Sequence, residues 1–554
     1  MRPLRYTMLV LALLLPACQG GRAPAPPPAS LKAVPVEVTH TRLAQASACE
    51  GRFVAHTLGV ANGMRMREIR TYASNGAGLA ANDLDGDGNI DLVFASVDRE
   101  STILWNKGGL AFALEPIDDQ LTRAANIVDV NGDGLLDIVF THRSLEGVSY
   151  WRNQGAAAAG GRFVREPLAG VGNYGYSMAW ADLNGDGPLD LVTGAYDVDL
   201  KSNGVPQQQI EDQGGVVLYQ QRDGRFTAQR LAKRSETLAI GLVDLDGDGR
   251  NDILAANDFA LPDATWLRRG TNWEPAEPFG QTSYSTMSID WGDLANDGRL
   301  ALFTTDMNPG DIALPVLAAW LPVISKLEEK HGPNDPQIMA NVLQIQTSGG
   351  SWRNEAAWRG VDATGWSWSG KFGDLDNDGF LDLYVVNGMI AQNLFQHLPD
   401  GELIEENRAF RNRGDGSFLP APEWSLASTA SGRGMLMADL DNDGDLDIVI
   451  NNMRGQAQLF ENRLCGGAAL EVEVAWPSSA NTHAIGAQLE LYTSAGVLRR
   501  DIRSASGYLT GDPARVHFGF PRGTALQKLI VRFPDGAAAE ISSLEAQTLL
   551  KVTR

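Results

Sequence analysis

The residues of this chain best suited to chemistry are aspartates, and they recur at a fixed spacing. A nonapeptide begins at Asp83 (DLDGDGNID), Asp129 (DVNGDGLLD), Asp182 (DLNGDGPLD), Asp244 (DLDGDGRND), Asp293 (DLANDGRLA), Asp374 (DLDNDGFLD) and Asp439 (DLDNDGDLD). Positions 1, 3 and 5 offer carboxylate or amide oxygens, position 7 a backbone carbonyl, and position 9 another carboxylate. Such a string can wrap a hard cation that takes about six to eight oxygen ligands, and Gly at position 6 permits the sharp turn. Calcium fits best. Magnesium demands stricter octahedral geometry, and the loops contain no His or Cys for zinc or copper.

Six loops are complete, so about six calcium ions are expected. Their ligands are Asp83, Asp85, Asp87, Asn89 and Asp91 in the first, and Asp129, Asn131, Asp133, Leu135 and Asp137 in the second. The third has Asp182, Asn184, Asp186, Pro188 and Asp190, and the fourth Asp244, Asp246, Asp248, Arg250 and Asp252. The sixth has Asp374, Asp376, Asp378, Phe380 and Asp382, and the seventh Asp439, Asp441, Asp443, Asp445 and Asp447. In the fifth, Ala295 and Ala301 stand at positions 3 and 9, so the turn should persist without a firmly bound ion.

The charge balance agrees. Lys plus Arg is 46 against 68 Asp plus Glu, a net charge of -22, and the six complete loops contribute 22 carboxylates at positions 1, 3, 5 and 9. Outside the loops the chain is close to neutral, which argues against a polyanion-binding surface; no nucleic acid partner is expected. Within a loop, carboxylates repel one another unless a cation lies among them, so calcium should stabilise the native state.

The elements that must position these loops are short strands. Successive loops start 46, 53, 62, 49, 81 and 65 residues apart, a spacing suited to one four-stranded sheet per repeat. Apolar runs precede the loops (Gly78 to Ala81, Ser177 to Trp180, Met435 to Met437) and follow them (Leu92 to Phe94, Ile138 to Phe140, Ile448 to Ile450). A chain with 60 Gly and 26 Pro fits many strands joined by tight turns. The expected fold is all-β, a seven-bladed propeller with a small C-terminal β domain. Long connections near residues 195–214, 304–340 and 387–408 form a candidate recognition surface. The second of them should contain a helix, because Leu314, Leu317, Trp320, Leu321 and Ile324 follow a helical period.

These repeats resemble the FG-GAP, or VCBS, repeats of integrin-type propellers, over residues 49–465. The resemblance implies that each metal loop joins the innermost strand to the second, on the face opposite the long connections. After residue 465 the acidic loops cease, and strand patterns run at 470–474, 487–492 and 529–533. The segments Ile485-Gly486-Ala487, Arg503 to Leu509, Val516-His517-Phe518-Gly519 and Val531 to Gly536 resemble the ASPIC/UnbV module, assigned here to residues 466–554. A propeller followed by this module is the layout of the cartilage acidic protein family, including its bacterial members.

The last repeat stops at Gln458 to Arg463 without a fourth strand. Arg52-Phe53-Val54 at the other end matches the Gly-Arg-Phe segments at 161–163 and 224–226, so an N-terminal strand is expected to complete the ring. Cys49 and Cys465 would then lie together as a disulfide staple, with two free thiols as the alternative.

The N-terminus reads as an address. Arg2 and Arg5 precede an apolar run from Met8 to Leu15, the pattern of a signal peptide over residues 1–17. Leu15-Pro16-Ala17-Cys18 resembles a bacterial lipobox, which implies lipidation of Cys18, with residues 18–48 as a flexible tether. Export and anchoring at the outer membrane or cell surface follow, with membrane contact through the lipid alone.

No catalytic constellation stands out. Gly365 to Gly370 departs from a nucleophile elbow, having Ser369 where Gly belongs. The expected function is a monomeric, calcium-binding module that recognises an extracellular protein or glycan, with Trp273 and Trp320 as candidate contact residues. The alternatives are a secreted carbohydrate-active enzyme and a purely structural envelope protein.

Overall fold

The computed structural model describes residues 32–45, 49–61, 72, 75–143, 146–156, 158, 161–328 and 335–554. The segment read as a signal peptide and the lipidation site Cys18 lie outside them.

Among the described residues, seven antiparallel four-strand meanders follow one another. The first comprises Leu79–Asn82, Asp91–Phe94, Glu100–Asn106 and Phe112–Gln120, with the first metal loop between its first two strands. Equivalent meanders open at Thr122–Val128, Ser177–Ala181, Thr237–Val243, Ile289–Gly292, Gly365–Gly373 and Gly432–Ala438. Each opening strand touches the opening strand of the next meander, and the seventh touches the first. The sheets are therefore blades around a closed ring.

The strand sequences explain the stacking. First and second strands such as Ser177–Ala181 and Asp190–Gly194 are buried at every residue. Both faces of each sheet meet a neighbouring blade, so these strands read as continuous apolar runs rather than alternations. Leu79 and Phe94 of the first blade share an apolar cluster with Leu436 and Val449 of the seventh, and Val93 and Ile103 share one with Ile138 and Phe140 of the second. Outer strands face solvent, as Phe112–Gln120 does on most of its residues.

The ring closes with Arg52–Thr57 as the outer strand of the seventh blade, antiparallel to Gln458–Arg463. Cys49 and Cys465 form a disulfide at this seam, Cα atoms 5.6 Å apart, across a sequence separation of 416 residues.

The C-terminal domain is two sheets packed face to face. One contains Ala537–Ile541, Leu526–Arg532, Gln488–Thr493 and Val497–Asp501; the other contains Thr548–Thr553, Ala468–Ala475 and Val516–Phe520. Leu470, Leu489, Leu491, Phe518, Val531 and Val552 fill the space between them. The reading of residues 18–48 as a flexible tether is corrected for residues 32–42. Glu37–Arg42 pairs with Thr548–Thr553, and Lys32–Ala33 with Ala537–Ala538, so the chain ahead of the propeller supplies edge strands to the domain that follows it. Alternation of Val36 and Val38 with polar residues was the local signal for this.

The domain is not an appendage. Its hairpin, Ala505–Ser506 and Thr510–Gly511, enters the propeller channel, where Thr510 and Gly511 lie parallel to Leu79 and Ala80. Ser504 Oγ donates to the Trp180 carbonyl at 2.8 Å near the loop end of the channel. At the tip, the Tyr508 hydroxyl lies 2.7 Å from that of Tyr176 and accepts the Gly76 amide at 3.1 Å. A Cβ at Gly511 would lie 2.8 Å from the Ala80 Cβ, so only glycine allows this approach.

Candidate metal centre

The six complete loops are built on the same two carboxylates, at positions 1 and 9. In the first, Asp83 Oδ1 accepts the amides of Gly86 (2.8 Å) and Asp87 (3.1 Å), and Oδ2 that of Gly88 (2.9 Å). Asp91, at position 9, accepts the Leu84 amide at 3.0 Å and the Asn106 amide of the third strand at 2.8 Å. Asp129 with Asp137 and Asp244 with Asp252 repeat the scheme. Positions 4 and 6 have positive φ. Position 4 is Gly86, Gly132, Gly185 and Gly247 in four loops and Asn296, Asn377 and Asn442 in the other three, the residue types that accept a left-handed backbone. That is why the repeats alternate between GDG and NDG.

Four of the six complete loops bring three carboxylates together. Asp83, Asp85 and Asp91 offer oxygens within 4.8 Å of one another, as do Asp244, Asp246 and Asp248, then Asp374, Asp376 and Asp382, and Asp439, Asp441 and Asp443. The second and third loops, with Asn131 and Asn184 at position 3, share the backbone scheme. Amides at position 7, of Asn89, Leu135, Arg250, Phe380 and Asp445, donate to the carboxylate two residues earlier; Pro188 has no amide to give.

Burial makes these carboxylates costly to ionise. It raises Asp91, Asp137 and Asp190 to about 7 and Asp252 to about 6, and it holds Asp382 and Asp447 well above the usual range, with like charges adding to the effect. Asp376 Oδ1 and Asp441 Oδ1 are buried without a hydrogen-bond partner. An all-oxygen set with orphaned buried acceptors and mutual repulsion fits a hard divalent cation, which would supply the missing charge.

The fifth loop is different. Asp293 still accepts the amides of Asp297 (3.0 Å) and Gly298 (2.8 Å), so the turn persists. Arg499 Nη1 of the C-terminal domain donates to Asp293 Oδ2 at 2.9 Å. A guanidinium therefore meets the carboxylate where Ala295 and Ala301 leave too few ligands for an ion. Arg499→Ala strands a carboxylate that is only 5% exposed, at an expected cost of about 1–3 kcal/mol, discounted because the arginine is partly exposed. Adding Asp293→Asn should restore much of the loss. Urea titration of both variants checks this; equal stability of Arg499→Ala and wild type would refute it.

The domain rests on the loop face and contacts the first, second, fifth and seventh loops. Thr482 Oγ1 donates to Asp129 Oδ2 at 2.5 Å, Arg515 Nη2 to the Gly88 carbonyl at 3.0 Å, and Gln547 Nε2 to the Asp443 carbonyl at 3.2 Å. His517 is buried, and its Nε2 lies 3.1 Å from the Gly444 carbonyl. None of these partners was legible among the loop residues themselves.

A second set that sequence reasoning missed latches blade to blade. Asn106 Nδ2 donates to the Ile90 carbonyl and to that of Leu440 in the preceding blade's loop; Asn153, Asn412 and Asn462 do the same toward Leu84, Leu294 and Leu375. The signal was an Asn at or next to the end of four third strands, followed two residues later by Gly at 108, 155 and 414.

One contact candidate is overturned. Trp320 is fully buried, its indole N–H donating to Glu405 Oε1 at 3.1 Å, so it has no face for a ligand. Its helix, Leu314–Glu328, turns Trp320 and Val323 inward and leaves Leu314 and Leu321 exposed. Trp273 is half-buried and lines a recess with Arg222 and Arg268.

A ring of blades with acidic loops between first and second strands, covered by a β domain, defines the class. The chain carries FG-GAP repeats and a C-terminal ASPIC and UnbV domain: FG-GAP-like repeats match residues 129–193, 244–304 and 400–450, an FG-GAP repeat matches 174–219, and the ASPIC and UnbV family matches 476–554. It is similar to cartilage acidic protein 1 of Homo sapiens, 22% identical over 304 residues, which cover 51% of this chain and 40% of that protein. The Mus musculus protein is 22% identical over 321 residues, covering 54% and 44%. The matched region thus spans less than half the length of these relatives. Among solved structures, the lectin BP39L of Burkholderia pseudomallei is similar at a TM-score of 0.44 and 11% identity, covering 70% of this chain and 95% of the lectin. BBS1N in complex with ARL6DN is similar at a TM-score of 0.39 and 11% identity, covering 71% and 98%. Among the described residues no helix is long and apolar enough to cross a membrane.

Proposed function

We propose that this protein is a calcium-stabilised, extracytoplasmic binding module, held at the membrane through a lipid on Cys18, that recognises an extracellular protein or glycan without catalysing a reaction. The observation that carries the reading is the division between its two faces. The C-terminal domain occupies the loop face and the channel, which leaves the opposite face, where second strands lead to third strands, for a partner. Three long connections emerge there, between Asp190–Gly194 and Val216–Arg222, between Ala301–Thr304 and Val342–Gln346, and between Asp382–Asn387 and Arg408–Asn412. They carry Ile312, Leu314, Leu321 and Ile404, large apolar side chains that are 59–85% exposed, as binding surfaces often do.

The setting is supported by the disulfide, which persists in oxidising compartments, and by relatives whose name places them in cartilage. The test is a glycan and surface-protein array probed with the mature chain in calcium and in chelator. Calcium-dependent binding that is lost on Leu321→Asp supports the reading. Blank arrays, or turnover of a polysaccharide by the pure protein, would overturn it.

A further inference from the structure

The seventh loop is the most deeply covered, and the strand above it brings an acid toward it. Glu471 lies in Ala468–Ala475, directly opposite His517 in the antiparallel ladder, so their side chains leave the same face of the sheet. His517 reaches Gly444 in the loop, which fixes that face as the one turned toward the metal site. Glu473 and Arg515, on the same face, pair at 2.9 Å.

Glu471 is 1% exposed, and its Oε1 is buried with no hydrogen-bond partner. The guanidinium nearest to it has its nitrogens engaged elsewhere: Arg515 Nε bonds Glu473, Nη1 bonds Asn442 Oδ1 at 2.6 Å, and Nη2 bonds the Gly88 carbonyl. Glu471 and Asp439 line the same interdomain cavity of about 340 Å³. In the loop itself, two residues beyond Asp439, Asp441 Oδ1 is likewise buried without a partner. A buried carboxylate oxygen left without a partner is costly, and a divalent cation held by the seventh loop is an arrangement that satisfies it.

We infer that Glu471 supplies a carboxylate oxygen to the cation of the seventh loop, making that ion a bond between the propeller and the C-terminal domain. The inference rests on the reading that the complete loops hold calcium. It adds a ligand from outside the nonapeptide, about 24 residues beyond its end, and it gives the ion a second task, holding the domain and its channel hairpin in place.

The test is calorimetric titration of calcium into the metal-stripped mature chain. Glu471→Gln should weaken one site by roughly tenfold to a hundredfold and leave the others as in wild type. Glu471→Asp, which keeps the charge but withdraws it by one methylene, should weaken the same site less, and it serves if the glutamine variant does not fold. In an Asp441→Asn background, which disables the loop from the propeller side, Glu471→Gln should cost no further affinity. Wild-type titration curves for both Glu471 variants, or fully additive losses, would overturn the assignment while calcium binding itself stands. A wild-type chain that takes up no calcium would remove the premise and the assignment together.

Discussion

Stripping divalent cations with EDTA lowers the melting temperature of the protein by on the order of 10 °C, and added calcium restores it. The size follows from the number of sites. A ligand at a hundredfold excess over its dissociation constant stabilises the native state by about 2.7 kcal/mol per site. Six complete loops sum to roughly 16 kcal/mol if they act independently, and a chain of this length loses about 1 °C per kcal/mol. The effect is not confined to the loop tips. The position 9 aspartates bond the third strand of their own blade, and the carbonyls of Leu84, Leu294, Leu375 and Leu440, at position 2, receive asparagine latches from the next blade. Losing the ions therefore loosens the contacts between blades as well as the turns. Because the C-terminal domain rests on the same loops, chelation should also split the melting curve into more than one transition. Differential scanning calorimetry in calcium and in EDTA makes the measurement. Superimposable curves would show that the acidity serves some purpose other than ligation.

Tyr508→Ala, in the channel hairpin, is expected to cost about 3–5 kcal/mol. The side chain is fully buried, its ring meets Trp368 edge to face at 5.2 Å, and its hydroxyl bonds Tyr176 and the Gly76 amide. Truncation would empty space at the ring's centre, where the surrounding opening strands are held by their blades and cannot collapse inward. Tyr508→Phe keeps the ring and removes the hydroxyl, and should cost about 1–1.5 kcal/mol. Urea titration followed by tryptophan fluorescence reports both, because Trp368 and Trp180 border the hairpin. If Tyr508→Ala unfolds with the wild-type midpoint, the hairpin fills the channel without stabilising it.

Much of the propeller was legible because its information is local. The nonapeptide prescribes a turn within nine residues, the runs on either side prescribe strands, and the repeat of both prescribes a ring. Even the loop that departs from the rule announced itself through Ala295 and Ala301. Legibility failed where partners lie far apart in the chain. Glu37–Arg42 pairs with a strand some 500 residues later, and its Pro-rich surroundings suggested a tether. Trp320 lies on a helical stripe, yet the contact with Glu405 that buries it depends on how two long connections fold together. Arg503 to Leu509 was recognisable as part of a module, but its small residues Ser504, Ala505, Ser506 and Gly507 gave no hint that they had to fit a channel.

The sequence by itself determined the repeat, the acidic loops and the N-terminal strand that closes the ring, since these follow from residue type at short spacing. Only the tertiary structure decided that the C-terminal domain rests on the metal face, fills the channel, presents Arg499 to the loop without an ion and brings Glu471 to the seventh. Those contacts join residues that are hundreds of positions apart. Their existence depends on the shape of two packed bodies, which no local pattern encodes.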